Sequence, residues 1–391
     1  MTVLPPEIRD RISAEARRGD IAGEFPHASL ELLRQLGIVQ RPASDPDFTL
    51  RDAFEIIDEV AALDASLGLL LSFQFAFVTQ LRAPDNKWPA ETRERVLASV
   101  RDEGALVGNF ATEAELGAPA MGGFPKTALL RDEHGVLRLH GHKVYSTGAE
   151  ALRWVIVSTT FEHREDGYGS VLVDREAAGD RIRIERTWDT FGMRTTRSDD
   201  VYFDGVEVLP EQIVGTTSTT GKRSAGGAPP GLGGWGRVTG PAIYNAQAKA
   251  AFAWFVAFLV SRRPSNLDGK SLGDLPVFQE IVGDLWSRLD TNAAIFDRLI
   301  AATSSAQRDA EESWRGTVAK TTVTENAEYV VRKIAEYAGN RGLANVTSPV
   351  GLAYRNITHA FAQGANDKVV KQQLGAWLLA QTNSTEGRNA S

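Results

Sequence analysis

The hydrophobic period of this chain changes twice, and that change limits the available folds more than any single motif does. Up to about residue 103 the apolar residues keep helical spacing; from 104 to 215 they alternate; from 237 to 381 helical spacing returns. In the first part Ile8, Ile12 and Ala16 share a face ahead of Gly19, and Leu30, Leu33 and Leu36 form a second stripe ending at Gly37. Thr49-Leu50-Arg51-Asp52 has the form of a capping box opening a helix through Phe54, Ile57 and Val60. Leu67 to Leu81 is apolar nearly all round, which predicts a buried helix.

In the middle part Val107 to Phe110 and the alternation of Leu137, Leu139 and Gly141 read as strands, with Asp132-Glu133-His134-Gly135 as a turn. Further strands are expected over 154–159, 170–173, 181–184 and 200–203. Two clusters of small and hydroxyl residues stand out: Thr112, Gly117 and Ala118, and then Ser146, Thr147 and Gly148. Small residues let a backbone approach a flat ligand, and hydroxyls can hydrogen-bond its edge; Tyr145 offers an aromatic face. An ordinary sheet with Gly/Ser/Thr turns would carry the same residues.

The last part contains helical patterns over 242–262, 276–300, 317–337 and 365–379, enough for a four-helix bundle. The expected organisation is therefore α+β. It comprises an N-terminal helical domain (1–103), a central antiparallel β domain (104–215), a Gly-rich connecting loop (216–236), the bundle (237–381) and a tail (382–391). The Gly226–Gly236 stretch lacks Gly-Lys-Ser/Thr and is no phosphate loop.

Composition removes several classes. There are no cysteines among the 391 residues, so disulfides, thiolate metal ligands and a cysteine nucleophile are excluded. The net charge of −7 comes with no basic run of the kind that marks nucleic-acid binders. The N-terminus has no signal-peptide core, and apolar runs such as Leu67–Leu71 are too short to span a bilayer; a soluble cytoplasmic protein is the expectation. His140 and His142 share a strand face but have no third ligand at suitable spacing, so no metal site is expected.

Motifs in order then carry a resemblance that covers nearly the whole chain. They are Leu63-Asp64-Ala65-Ser66-Leu67-Gly68; Phe110-Ala111-Thr112-Glu113 with Gly117; and Gly141-His142-Lys143-Val144-Tyr145-Ser146-Thr147-Gly148. Phe191-Gly192-Met193-Arg194-Thr195-Thr196-Arg197-Ser198, Ala338-Gly339-Asn340-Arg341-Gly342 and Pro349 through Asn356 follow. The chain resembles the acyl-CoA dehydrogenase superfamily. The resemblance implies FAD or FMN held between the sheet and the bundle, with Phe110, Thr112, Gly117, Ala118, Tyr145, Ser146 and Thr147 at the cofactor. It also implies Arg263 and Gly339 reaching a neighbouring subunit's flavin in a homodimer or homotetramer. Ala118 stands where the family has a serine, which removes a hydroxyl from a CoA contact. Glu113 belongs to a dipeptide that is more often structural than catalytic.

A desaturase of this family needs a carboxylate to take the substrate's α-proton. The resemblance places it where this chain has Gln363 or Gly364, or on the first bundle helix, and residues 213–267 contain no Asp or Glu. Relatives that lack the base are flavin-dependent monooxygenases similar to dibenzothiophene monooxygenase. They take reduced flavin from a separate reductase and use O₂, through a C4a-(hydro)peroxide, on a small organic substrate. Under that resemblance Ser146 and His359 are the catalytic candidates, His359 also reading as a capping or packing residue at a helix start. Gln74 stands where the sulfur-oxidising relatives carry a histidine. Phe73, Phe75, Phe77, Phe252, Trp254 and Phe255 line a substrate pocket or simply pack a core. The alternatives are an acyl-CoA dehydrogenase with a non-standard base and a non-catalytic flavin- or acyl-binding subunit.

Overall fold

The computed structural model describes residues 4–115, 125–161, 168–217, 233–303, 310–344, 348–361, 368, 371–372 and 374–379. The chain forms two units: Met1–Ala53 with Ser66–Gly236, and Phe54–Ala65 with Arg237–Ser391.

The first unit begins with α1 (Pro6–Ala22), α2 (His27–Gln35) and α3 (Arg41–Ser44), then holds the start of α4 (Leu50–Leu63), most of α5 (Ala65–Arg82) and α6 (Ala90–Glu103). The capping box is reciprocal: Thr49 N donates to Asp52 Oδ2 at 2.9 Å and Asp52 N to Thr49 Oγ1 at 3.2 Å. α1 runs past Gly19 and stops at Gly23, which takes the left-handed conformation with φ 67°. Gly19 serves a different purpose: a Cβ there would lie 3.0 Å from both Glu24 O and Thr195 Cγ2, so its lack of a side chain allows close packing.

The strands are β1 (Val107–Phe110), β2 (Ala128–Arg131), β3 (Leu137–Ser146), β4 (Trp154–Phe161), β5 (Tyr168–Asp174), β6 (Ile182–Glu185), β7 (Asp199–Glu207) and β8 (Ile213–Thr217), with α7 (Arg175–Ala178) between β5 and β6. Their order is β6-β7-β3-β2-β4-β5-β8, with β1 on β4. The sheet is mixed rather than wholly antiparallel, because β1 and β2 both run parallel to β4. β1 pairs residues 107–110 with 154–157, and β2 pairs 128–129 with 160–161. The chain thus leaves the edge of β4 after Phe110 and returns to it at Ala128. Phe77, Val78 and Leu81 of α5 and Val96 and Val100 of α6 pack with Val107, Trp154 and Leu172 into one core. Trp154 Nε1 donates to Ser99 Oγ at 2.7 Å inside it.

The second unit contains most of α8 (Gly233–Ser261), α9 (Pro276–Thr303), α10 (Ala310–Ala338) and α11 (Val350–Ile357). α8 takes in the last residues of the Gly-rich stretch. A buried amide ladder holds three helices in register: Asn292 Nδ2 donates to Asn245 Oδ1 (2.9 Å) and Val323 O (3.2 Å), and Asn326 Nδ2 donates to Asn292 Oδ1 (2.9 Å). Of the helix expected over 365–379, residues 368, 371–372 and 374–379 are described, and they are helical. Leu67–Leu71 is only part of the buried helix α5, and one longer apolar helix occurs among the described residues. Trp235–Ser261 is long and apolar enough to cross a membrane by length and composition, although half of its most apolar window is buried within the protein. Its buried Asn245 and Gln247 interrupt the apolar run in the sequence.

Candidate functional site

The excursion between β1 and β2 and the end of β3 meet at one place in the first unit. Val144 N donates to Thr112 O at 3.0 Å, so the chain leaving β1 lies against β3 just before Tyr145. Beside this bond Lys143 Nζ donates to Glu113 Oε1 at 2.6 Å, both side chains being buried. Burial opposes ionisation of Glu113, but hydrogen bonds from Lys143 and Thr127 together with the Lys143 charge outweigh it and hold the carboxyl below its usual value. Glu113 is thus held as a paired carboxylate.

Tyr145 has φ 56°, in the left-handed region, and is 65% exposed. Its ring meets Trp188 edge-on at 6.2 Å, and Trp188 Nε1 donates to Met193 O at 3.0 Å. Ser146, the next residue, is wholly buried, and its Oγ has no hydrogen-bond partner among the described residues. Thr147 Oγ1 then lies 3.0 Å from Ser198 Oγ, which lies 2.9 Å from Thr196 Oγ1, and Thr196 donates to Met193 O at 2.8 Å. Gly148 N donates to Thr196 O at 2.9 Å, joining the two segments through the backbone.

A second buried carboxylate braces this arrangement. Asp199, in register with Ser146, accepts from Arg197 Nη2 (2.6 Å) and Nε (3.0 Å) and from the Thr187 and Trp188 amides (both 2.9 Å). Arg197 Nη1 also donates to Trp188 O at 3.2 Å. Among the described residues four non-glycines have positive φ, and three of them, Tyr145, Met193 and Arg197, are linked here. Left-handed conformations cost a non-glycine about 1–3 kcal/mol and persist where the surroundings over-determine them, as at binding and catalytic sites. This clustering makes the place a candidate site without reference to any relative.

The structure thus brings Thr112, Tyr145, Ser146 and Thr147 together, and Phe110 lies buried at the end of β1. Gly117, Ala118, Gln363 and Gly364 lie outside the described residues. In the second unit the exposed Arg263 donates to Gly269 O at 2.7 Å, and Gly339 takes φ 57° after α10. His359 is the second residue of a short 3-10 helix, Thr358–Phe361, which follows directly on the end of α11 (Val350–Ile357). Burial pushes its imidazole pKa below the ordinary value.

Gln74, wholly buried on α5, donates to Ala105 O at 3.0 Å and accepts from Val107 N at 2.8 Å, filling the place of a strand partner at the start of β1. His142 Nε2 is bonded to Asp200 Oδ2 at 2.7 Å and stacks on Tyr202 at 4.1 Å. No group of three metal-ligating side chains occurs among the described residues. The hydroxyl relay through Ser198 and Thr196 and the Arg197–Asp199 brace were not singled out from sequence, although the Thr195-Thr196-Arg197-Ser198 run that carries them was noted as a motif.

Two family models match the chain: the acyl-CoA dehydrogenase middle domain over residues 109–206, and the acyl-CoA dehydrogenase C-terminal domain over residues 246–363. The chain belongs to the acyl-CoA dehydrogenase superfamily. It is an oxidoreductase of that family and has its fold: N-terminal helices, a mixed, mostly antiparallel sheet and a C-terminal helical domain. Among superfamily relatives, a Bacillus subtilis (strain 168) protein named "Putative acyl-CoA dehydrogenase YdbM" is 28% identical over 375 residues, 94% of each chain. Dibenzothiophene monooxygenase of Mycolicibacterium goodii is 25% identical over 165 residues, 42% of this chain and 38% of that one. Among solved structures, TdsC from Paenibacillus sp. A11-2 with FMN and indole superposes with TM-score 0.81 at 20% identity, covering 96% of each chain. Butyryl-CoA dehydrogenase from Megasphaera elsdenii gives 0.77 at 17% identity, covering 97% of this chain and 100% of that one.

Proposed function

We propose that this superfamily member is a flavin-dependent monooxygenase acting on a small organic substrate with O₂ and reduced FAD or FMN supplied by a separate reductase. The observation that carries this reading is the state of the acids. Both buried carboxylates at the site, Glu113 and Asp199, are held in ion pairs with Lys143 and Arg197, so neither is free to accept a substrate proton. The two positions where the superfamily resemblance puts a base hold no carboxylate either.

The donor set fits a flavin. An isoalloxazine edge presents carbonyl and nitrogen acceptors, and the site offers the hydroxyls of Thr112 and Thr147 and the unpartnered, buried Oγ of Ser146. A buried hydroxyl without a partner is costly unless something arrives to satisfy it. Phe110, Thr112, Tyr145, Ser146 and Thr147 would hold the ring, with Gly117 and Ala118 contributing elsewhere on the cofactor and Arg263 and Gly339 reaching the flavin of a neighbouring subunit. Bound reduced flavin supplies the electrons that activate O₂. The protein's own tasks are to exclude water, to present the Tyr145 face and to donate a proton-bearing hydroxyl from Ser146 Oγ. His359, whose imidazole pKa burial lowers, is the second catalytic candidate, since an imidazole can pass a proton between a substrate and solvent. A homodimer or homotetramer is the proposed assembly.

A second reading, acyl-CoA desaturation with a non-standard base, is favoured by the similarity to YdbM along nearly the full length. Two measurements separate the readings. Under anaerobic conditions acyl-CoA thioesters should leave the bound flavin's absorbance unchanged. When the reduced holoprotein meets O₂, oxygen consumption should run ahead of the return of oxidised-flavin absorbance. Bleaching by a thioester with C2–C3 unsaturation of the product would replace the monooxygenase reading with the desaturase.

A further inference from the structure

β1 and β2 share one side of β4 with a gap between them, and a single carboxylate spans that gap. Glu113 Oε1 accepts from Thr127 N (3.1 Å), Thr127 Oγ1 (2.7 Å) and Lys143 Nζ (2.6 Å), while Oε2 accepts from Lys126 N (2.7 Å). One side chain thus joins the point where the chain leaves the sheet to the point where it returns, and ties both to β3. Thr127 is fixed in turn, its carbonyl accepting from Thr160 N at 2.9 Å and from the Thr159 and Thr160 hydroxyls at 3.1 and 3.2 Å. Gly141 makes the room: with φ 154°, a Cβ there would lie 2.4 Å from Thr127 Oγ1 and 2.7 Å from Thr127 Cα. Two residues further along β3, Lys143 arrives wholly buried, and two residues beyond it stands Tyr145.

Isolated buried charges are expensive, and a buried ion pair is on average no more stabilising than an apolar substitute of the same shape. Stability alone therefore does not account for a lysine placed here. The atoms on either side of the pair do. Thr112 precedes Glu113, Tyr145 to Thr147 follow Lys143, and the Thr112 O to Val144 N bond runs between them. We propose that Glu113, Lys143 and Thr127 are positioning residues that set the spacing between the Thr112 and Tyr145–Thr147 halves of the flavin-ring site. This rests on the flavin reading above and adds to it the side chains that hold the ring's two sets of partners at a fixed separation, without touching the ring themselves.

The test is titration of apoprotein with FAD and with FMN, followed by flavin fluorescence, together with the visible spectrum and midpoint potential of the bound flavin. Glu113→Gln leaves Lys143 without its counter-charge and should weaken flavin binding about tenfold to a hundredfold. Glu113→Gln with Lys143→Gln removes both charges while keeping amides able to bond each other, and should recover most of that loss. Thr127→Val, which keeps both charges and removes one hydroxyl, should stay folded by circular dichroism and still shift the potential and blur the fine structure of the spectrum. A purely structural pair would lower the melting temperature yet leave the bound flavin's spectrum and potential at wild-type values; folded variants behaving so overturn the proposal. If the wild-type chain binds neither flavin, the cofactor reading itself fails, and this inference falls with it.

Discussion

Replacement of Gln74 tests whether the first strand is set by a side chain from α5. The Gln74 carboxamide satisfies Val107 N and Ala105 O, two backbone groups buried at the head of β1. Gln74→Leu fills nearly the same volume but leaves both without a partner. Two buried unsatisfied backbone groups cost about 2–6 kcal/mol together, and the more apolar leucine returns roughly 1 kcal/mol, for a net loss of about 1–5 kcal/mol. For a unit of this size that corresponds to a fall in melting midpoint of roughly 2–20 °C. Calorimetry or thermal circular dichroism gives the midpoint, and amide hydrogen exchange at Val107 gives the local cause, since its protection should drop with the bond. Gln74→His bears on function as well. An imidazole is too short and too rigid to serve both groups, so this variant should lose part of the same stability and gain no oxygenation. A Gln74→Leu protein melting within about 1 °C of wild type, with Val107 still protected, would mean that the Gln74 amide does not hold the head of β1.

Ser146→Ala should leave the apoprotein at least as stable as wild type, because it removes an unsatisfied buried hydroxyl, yet weaken flavin binding about threefold to tenfold; matched melting curves and flavin titrations check the crossing. Gly141→Ala combines backbone strain with a clash against Thr127 and should cost about 2–5 kcal/mol in chemical denaturation. Because burial lowers the His359 pKa, the folded protein takes up this proton less readily than the unfolded chain. Stability should therefore fall as pH drops below the ordinary histidine value of 6.5, and His359→Gln should flatten that part of the melting-temperature profile.

The helix–sheet–helix order was legible because period two and period 3.6 leave different marks, and every strand expected in the central region is present. What could not be read locally was where strands sit. The parallel placement of β1 and β2 on β4 depends on a long-range return to the same edge, which no window of residues encodes. Helix ends misled in a similar way: Gly19 looks like a stop signal and is instead a close contact with Thr195, while Gly23 does the capping. In the candidate site, Tyr145, Ser146 and Thr147 stand out by type and spacing, and the structure places them beside Thr112. Gln74 was noted only for the histidine it replaces, since a buried amide mimicking a strand partner looks like any polar residue in an apolar helix. Asp199 comes to light only through register, lying opposite Ser146 more than fifty positions away in sequence.

The ion pairs also say where a base would have to be added. Freeing Glu113 or Asp199 to act as a proton acceptor would strand Lys143 or Arg197 in the interior, at about 3–5 kcal/mol, and would release the strained segments those pairs hold. A carboxylate brought in from outside the sheet carries no such cost. Gln363→Glu and Gly364→Glu put one at the two positions that the superfamily resemblance aligns with the desaturases' base. If the lack of a free acid is what separates this protein from those relatives, one of the two variants should bleach its flavin on anaerobic addition of an acyl-CoA, while the wild type does not. The rate should rise with pH through the new carboxyl's pKa, because only the ionised form accepts the α-proton. Stopped-flow absorbance with short- and medium-chain thioesters reads both quantities. Bleaching of the wild type at a comparable rate would mean that a base is already in place, and the argument from the occupied acids would fail at its first step.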